Sequence, residues 1–157
     1  MLNDREQLEA IDLAVPLIKQ YEGFSARAYN CPAGRLTIGY GHCITSSDHI
    51  DVSISLSEWS ATQILHADIG DVLLCLRDSI KDIELNANQI AALISFVFNI
   101  GCGNFKASTM LKLILANDFE GAAGQFDRWV HAGDKVLPGL VTRRRLEKEL
   151  FLKPIQE

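Results

Sequence analysis

Residues 21–42 run Tyr21-Glu22-Gly23-Phe24-Ser25-Ala26-Arg27-Ala28-Tyr29-Asn30-Cys31-Pro32-Ala33-Gly34-Arg35-Leu36-Thr37-Ile38-Gly39-Tyr40-Gly41-His42, and a change of pattern inside them decides the fold. Just upstream, Ile11, Ala14, Val15 and Ile18 form an apolar stripe at helical spacing that ends at Gly23, a natural helix terminator. Pro16 sits inside the stripe and predicts a helix start or a kink there. From Ala26 to Ile44 the pattern becomes short extended pieces. Pro32-Ala33-Gly34 is turn chemistry, and Leu36-Thr37-Ile38 before Gly39-Tyr40-Gly41 reads as a strand ending in a bend. One helical turn beyond Ile18 lies Glu22, which places a carboxylate on the core-facing side of a helix at its C-terminal end. Burial and the negative end of the helix dipole both disfavour an ionised carboxyl, so the position suits a general acid. A surface Glu at a frayed helix end is the plain alternative.

Downstream the chain reads as helical. Ser57 is an N-cap for a long helix whose buried face is Leu65, Ile69, Val72, Leu73, Leu76 and Ile80. Asn86 and Gln89 form a capping box ahead of the strongest stripe, Ile90, Leu93, Ile94, Val97 and Phe98. That stripe predicts a central core helix broken at Gly101-Cys102-Gly103. Further helices are expected near 108–116, 119–130 and 140–151. The fold class expected is α+β and mainly α: a small β lobe followed by a helical lobe, in one domain spanning 1–157.

Composition narrows the function classes. The chain has 157 residues, 48% of them hydrophobic and 22% charged, which is enough to bury a core. A net charge of −5 argues against general nucleic-acid binding. No apolar run reaches the roughly 18 residues of a membrane span, so stable membrane insertion is not expected. The polar, acidic first residues do not resemble a secretory signal. Cys31, Cys43, Cys75 and Cys102 are widely spread and are expected to be reduced thiols, mostly buried. Cys31, His42 and Cys43 lack metal-ligand spacing, so neither a metal nor a cofactor is expected. Arg143-Arg144-Arg145 is a basic cluster whose i,i+4 partners Glu147 and Glu149 make it read largely as a solvated helix face.

The segment from Glu22 through Ala28-Tyr29-Asn30-Cys31 to Thr37-Ile38-Gly39-Tyr40-Gly41-His42 resembles the active-site region of the phage-type lysozymes, glycoside hydrolase family 24. That family's pattern is a Glu, an Asp or sometimes a Cys nine positions on, and a Thr six further; Glu22, Cys31 and Thr37 match it without gaps. The resemblance continues through Gln89 to Gly101, Phe105 to Thr109, Gln125 to Trp129, and Pro138 through Arg144, covering roughly 11–152.

The resemblance implies a lysozyme-like fold with the active-site cleft between the two lobes. It also implies hydrolysis of the β-1,4 bond between N-acetylmuramic acid and N-acetylglucosamine in peptidoglycan. Glu22 would protonate the leaving oxygen, while Cys31 and Thr37 hold a water on the opposite sugar face. Cys31 departs from the common Asp, which leaves open a lytic transglycosylase acting through Glu22 alone. A peptidoglycan-binding module without turnover is the non-enzyme alternative. Tyr40 and His42 are expected to be structural near the site, with His42 hydrogen-bonded in packing. Asn99 could approach Glu22 or a sugar, Trp129 could contact sugar or sit in the core, and Arg143 is the expected partner of Glu22. The protein is expected to be a monomer, held in the host bacterial cytoplasm until release to the wall.

Overall fold

The computed structural model describes residues 3–156. Met1 and Leu2 of the polar N-terminal stretch lie outside the described residues. Helix α1 (Asp4–Glu22) opens with Asn3, whose side chain accepts from the Glu6 amide at 2.8 Å, and with Asp4 and Glu6 in the first turn against the positive dipole end. The helix continues through Pro16, so no helix start lies there. Pro16 is exposed, so the carbonyl it deprives of a partner is on the water side, where solvent can satisfy it. Gln7, Ala10, Ala14 and Ile18 form the buried face. Its two alanines let α1 lie closely against the central helix α3 (Ala87–Ile100).

Gly23, at φ 67°, turns the chain out of α1 into an antiparallel sheet of β1 (Ser25–Asn30), β2 (Leu36–Gly39) and β3 (His42–Cys43). A turn closes the first hairpin, with the Gly34 amide on the Cys31 carbonyl at 2.8 Å and Gly34 at φ 78°. Ile38 is fully buried and fixes the register of β2. Helix α2 (Glu58–Ile80) starts at Ser57, which caps the Ser60 amide, and buries Leu65, Ile69, Leu73, Leu76 and Ile80 as expected. Both halves of the Asn86–Gln89 capping box are present at the start of α3. Helix α3 is buried almost all round; each Leu or Ile it takes out of water contributes about 1.5–3 kcal/mol.

Short helices α4 (Cys102–Lys106), α5 (Thr109–Leu115) and α6 (Phe119–Gly124) wrap the end of α3. The helix expected over 119–130 is shorter than its pattern suggests. It gives way to a 3-10 turn at Gln125–Arg128, and a small hairpin of β4 (His131–Ala132) and β5 (Lys135–Val136) replaces the expected loop. Helix α7 (Pro138–Leu152) then packs back on α3. The architecture is α+β and mainly helical, with the small sheet ahead of the helical layer.

The expectation of four reduced thiols is overturned. Cys75, on the buried face of α2, is disulfide-bonded to Cys102 at the start of α4, while Cys31 and Cys43 are free. The pairing spans 27 residues and depends on α2 meeting α4, which no local pattern announces. Among the described residues no helix is long and apolar enough to cross a membrane.

Candidate active site

Glu22 is the last residue of α1, and its side chain keeps 20% of its exposure. Two contacts hold the carboxylate. Arg143 Nη1, from α7, donates to it at 2.8 Å. On the other side it lies on Gly41, where an added Cβ would stand 2.5 Å from Oε2 and 2.9 Å from the carboxyl carbon. Gly41 is also at φ 72°, so the turn and the close approach both require glycine.

The sheet brings its residues to the same place by register. Tyr29, Thr37 and Cys43 are cross-strand partners, so their side chains share one face. Thr37 is buried, and its hydroxyl donates to the Arg35 carbonyl at 3.0 Å. The Arg35 backbone amide holds the Cys31 thiol below its usual pKa, helped by the Ala33 amide, the Thr37 hydroxyl and the Arg35 charge. The Tyr29 phenol is pushed up, first by burial and then by the charges of Glu22, Cys31 and Cys43. Glu22 meets the sheet at Gly41, between β2 and β3.

Tyr40 and His42, expected to be structural, are both held by hydrogen bonds, and His42 lines the cleft described below. Tyr40 is buried, donates to Glu58 Oε1 at 2.7 Å and carries Lys19 over its ring. His42 bridges two carboxylates, Nδ1 to Asp68 Oδ2 at 2.7 Å and Nε2 to Asp48 Oδ2 at 3.1 Å, and so ties β3 to α2. The bond to Asp68 leads in raising its pKa from 6.5 to about 9, against opposing desolvation. A folded-state pKa above the unfolded one stabilises fully below pH 6.5 and is lost as pH rises through 9. Allowing for the ring edge that solvent still screens, the contribution is about 2 kcal/mol. Urea unfolding is expected to show that loss across the window, and His42→Gln should flatten it; an equally steep decline in the variant would assign it to other groups.

The basic cluster of α7 departs furthest from expectation. Arg145 is exposed as a solvated face requires, but Arg144 is 1% exposed and Glu147 is 0% exposed. Arg144 Nε donates to the Trp129 carbonyl at 2.8 Å, Nη1 donates to Glu147, and Nη2 donates to Asn99 Oδ1. Its guanidinium also lies 5.0 Å over the Phe96 ring. Burial draws the Arg144 pKa down and the Glu147 charge is the first counterweight. Helix-face reasoning failed here because it assumed solvent where α3 supplies Ser95 and Asn99. Asn99 spends its oxygen on Arg144. Trp129 is half-buried with its ring edge-to-face on Phe96 at 5.8 Å. Glu147 and Gly41 were missed; the one signal was that Arg143, Glu147 and Phe151 follow an i, i+4, i+8 line, which puts charges on a core-facing stripe.

A cleft of about 740 Å³ opens between β3 with its following loop and helices α2 and α3. Gly41, Cys43, Asp68, Phe98 and Gly101 stand on its walls. Glu22, Cys31 and Thr37 do not line it, but Gly41 backs onto Glu22 and Cys43 pairs with Thr37, so the cleft adjoins the site.

Phage lysozyme sequences match residues 19–147, a span that holds Glu22, the sheet, the cleft and the Arg143–Glu147 network. The chain belongs to the phage lysozyme family. It is 40% identical over 139 residues to an endolysin of Acyrthosiphon pisum secondary endosymbiont phage 1, covering 86% of this chain and 92% of that one. It is 37% identical over 131 residues to a SAR-endolysin of Bacteriophage PS119, covering 83% of this chain and 76% of the relative. Among solved structures, the muramidase domain of SpmX from Asticaccaulis excentricus superposes with a TM-score of 0.79 at 34% identity, covering 90% of this chain and 95% of that domain. As a phage lysozyme the protein is a glycoside hydrolase of the endolysin type, and its substrate is peptidoglycan. The non-catalytic alternative is set aside.

Proposed function

We propose that this lysozyme cleaves the β-1,4 bond between N-acetylmuramic acid and N-acetylglucosamine by hydrolysis with inversion. Glu22 gives its proton to the leaving glycosidic oxygen, while Cys31 and Thr37 hold the attacking water on the far side of the sugar. The observation that carries this reading is the placement of Glu22 between Arg143 and Gly41, beside the sheet that carries Thr37 and whose first hairpin turn holds Cys31. Arg143 and Gly41 leave the carboxyl little freedom, which keeps the donor oriented. Cys31, held below its usual pKa by the Arg35 amide, is a better water acceptor than an ordinary thiol.

A lytic transglycosylase is the second reading, favoured by one feature: position 31 offers a thiol and no carboxylate. In that chemistry the sugar's own hydroxyl closes the ring and no water is held. Mass spectrometry of soluble products from purified peptidoglycan separates the two. Ordinary reducing ends are expected; products one water lighter, with 1,6-anhydro ends, would replace hydrolysis by transglycosylation. Cys31→Asp should retain or raise the rate, and Cys31→Ala should lower it about 10²-fold. A fully active alanine variant removes Cys31 from the chemistry.

We further propose that the enzyme works as a monomer in a single catalytic domain, does not bind nucleic acid, and reaches the wall after release from the host cytoplasm. The SAR-endolysin name of the PS119 relative supports a release step coupled to the membrane.

A further inference from the structure

Glu147 is the one carboxylate on α7 buried to 0%, and the proposed chemistry does not use it. A charge in that position is costly unless fully paired, and this one is. Ser95 Oγ donates to its Oε2 at 2.6 Å, Arg143 Nε approaches the same oxygen at 3.4 Å, and Arg144 Nη1 donates to Oε1. The donors of Arg143 are thereby divided. Nε faces Glu147 and Ser95, Nη2 donates to the Ser95 carbonyl at 3.0 Å, and only Nη1 is left to reach Glu22.

We infer that Glu147 is a positioning residue: it fixes the orientation of Arg143 and shares its charge, so that Arg143 holds Glu22 in place while the carboxyl can still take up a proton. The groups facing this cluster are Arg143, Arg144 and Glu147 of α7, Glu22 of α1, the Tyr21 ring 5.7 Å from the Arg143 guanidinium, and the neutral Ser95 and Asn99 of α3. With Glu22 ionised, two cations face two anions. Without the Glu147 charge, two cations face Glu22 alone and oppose its protonation. The inference rests on Glu22 being the general acid.

The test compares pH–rate profiles of the wild type and E147Q, which keeps the shape and the Ser95 contact but removes the charge, on soluble glycan chains. The expected result is an alkaline limb of kcat moved about one pH unit toward acid, with about a tenfold loss of kcat above neutral pH and KM within about twofold. A merely structural Glu147 would lower the active fraction and the melting temperature without moving the limb, and that outcome overturns the inference. E147D, whose carboxylate is retained but drawn back from Arg143, should give a limb between the other two. Should E147Q fail to fold, E147D decides alone, and an unmoved limb overturns the inference. E22Q measured in parallel keeps the readings apart: an active E22Q removes the general-acid assignment, whereas an inactive E22Q with an unmoved E147Q limb removes only the role of Glu147.

Discussion

Glu22→Gln is expected to lower peptidoglycan cleavage about 10³-fold, a loss of about 4 kcal/mol of transition-state stabilisation. The amide is isosteric with the carboxylate. It can rest on Gly41 as Glu22 does, and its oxygen can accept from Arg143 Nη1 in place of Oε1. What it cannot do is give up a proton to a leaving oxygen. The variant should therefore fold, bind wall fragments and fail to clear them. Circular dichroism and a wall-binding assay check the first two, and turbidity loss checks the third. Clearing within about tenfold of wild type would move the proton donor elsewhere, because general acid catalysis is worth at least about 10²-fold. Loss of binding along with clearing would mean that the Glu22–Arg143 pair also shapes the cleft.

The second large effect concerns stability. Reducing the Cys75–Cys102 disulfide frees a 27-residue loop in the unfolded chain, and the chain-entropy relation puts the cost at about 3.5 kcal/mol. That is a large share of the 5–15 kcal/mol typical of a folded domain. The double variant Cys75→Ser, Cys102→Ser should reproduce the loss without reductant and leave Cys31 and Cys43 untouched. Denaturant midpoints with and without a thiol reductant measure it. A wild-type shift under about 1 kcal/mol would show that the α2–α4 contact restrains the unfolded chain little beyond what packing does. Because Cys102 also lines the cleft beside Gly101, the oxidised and reduced forms should differ in activity near the unfolding midpoint and converge well below it.

Much of the molecule follows from local chemistry. The stripe of α3, the cap at Ser57, the Asn86–Gln89 box and the turn at Gly34 are each legible within a few residues, because caps, periodicity and turn dihedrals are satisfied by near neighbours in the chain. The same holds for the half of the site lying in 22–42. Glu22 ends a helix at a terminating glycine, and Cys31 and Thr37 belong to one hairpin, so short range is enough to bring them to one end of the molecule. The helix start offered at Pro16 is where such reasoning failed: whether a helix continues through an internal proline depends on which side faces water, and that is known only when α1 has docked on α3.

The other half of the site is long-range. Arg143 meets Glu22 across 121 residues, Arg144 meets Asn99 across 45, and Cys75 meets Cys102 across 27. An Arg on a helix reads as solvated until a second helix covers it, since the residue type is the same in both settings. What changes is the partner set: Ser95, Asn99 and the Trp129 carbonyl offer Arg143 and Arg144 acceptors that replace water. Periodicity and capping thus carried the elements of this lysozyme, while the 22, 31, 37 spacing was legible only through its resemblance to the family. The burial of its charged network and its disulfide came from helix packing, because the free energy of a buried charge depends on partners that sequence distance does not reveal.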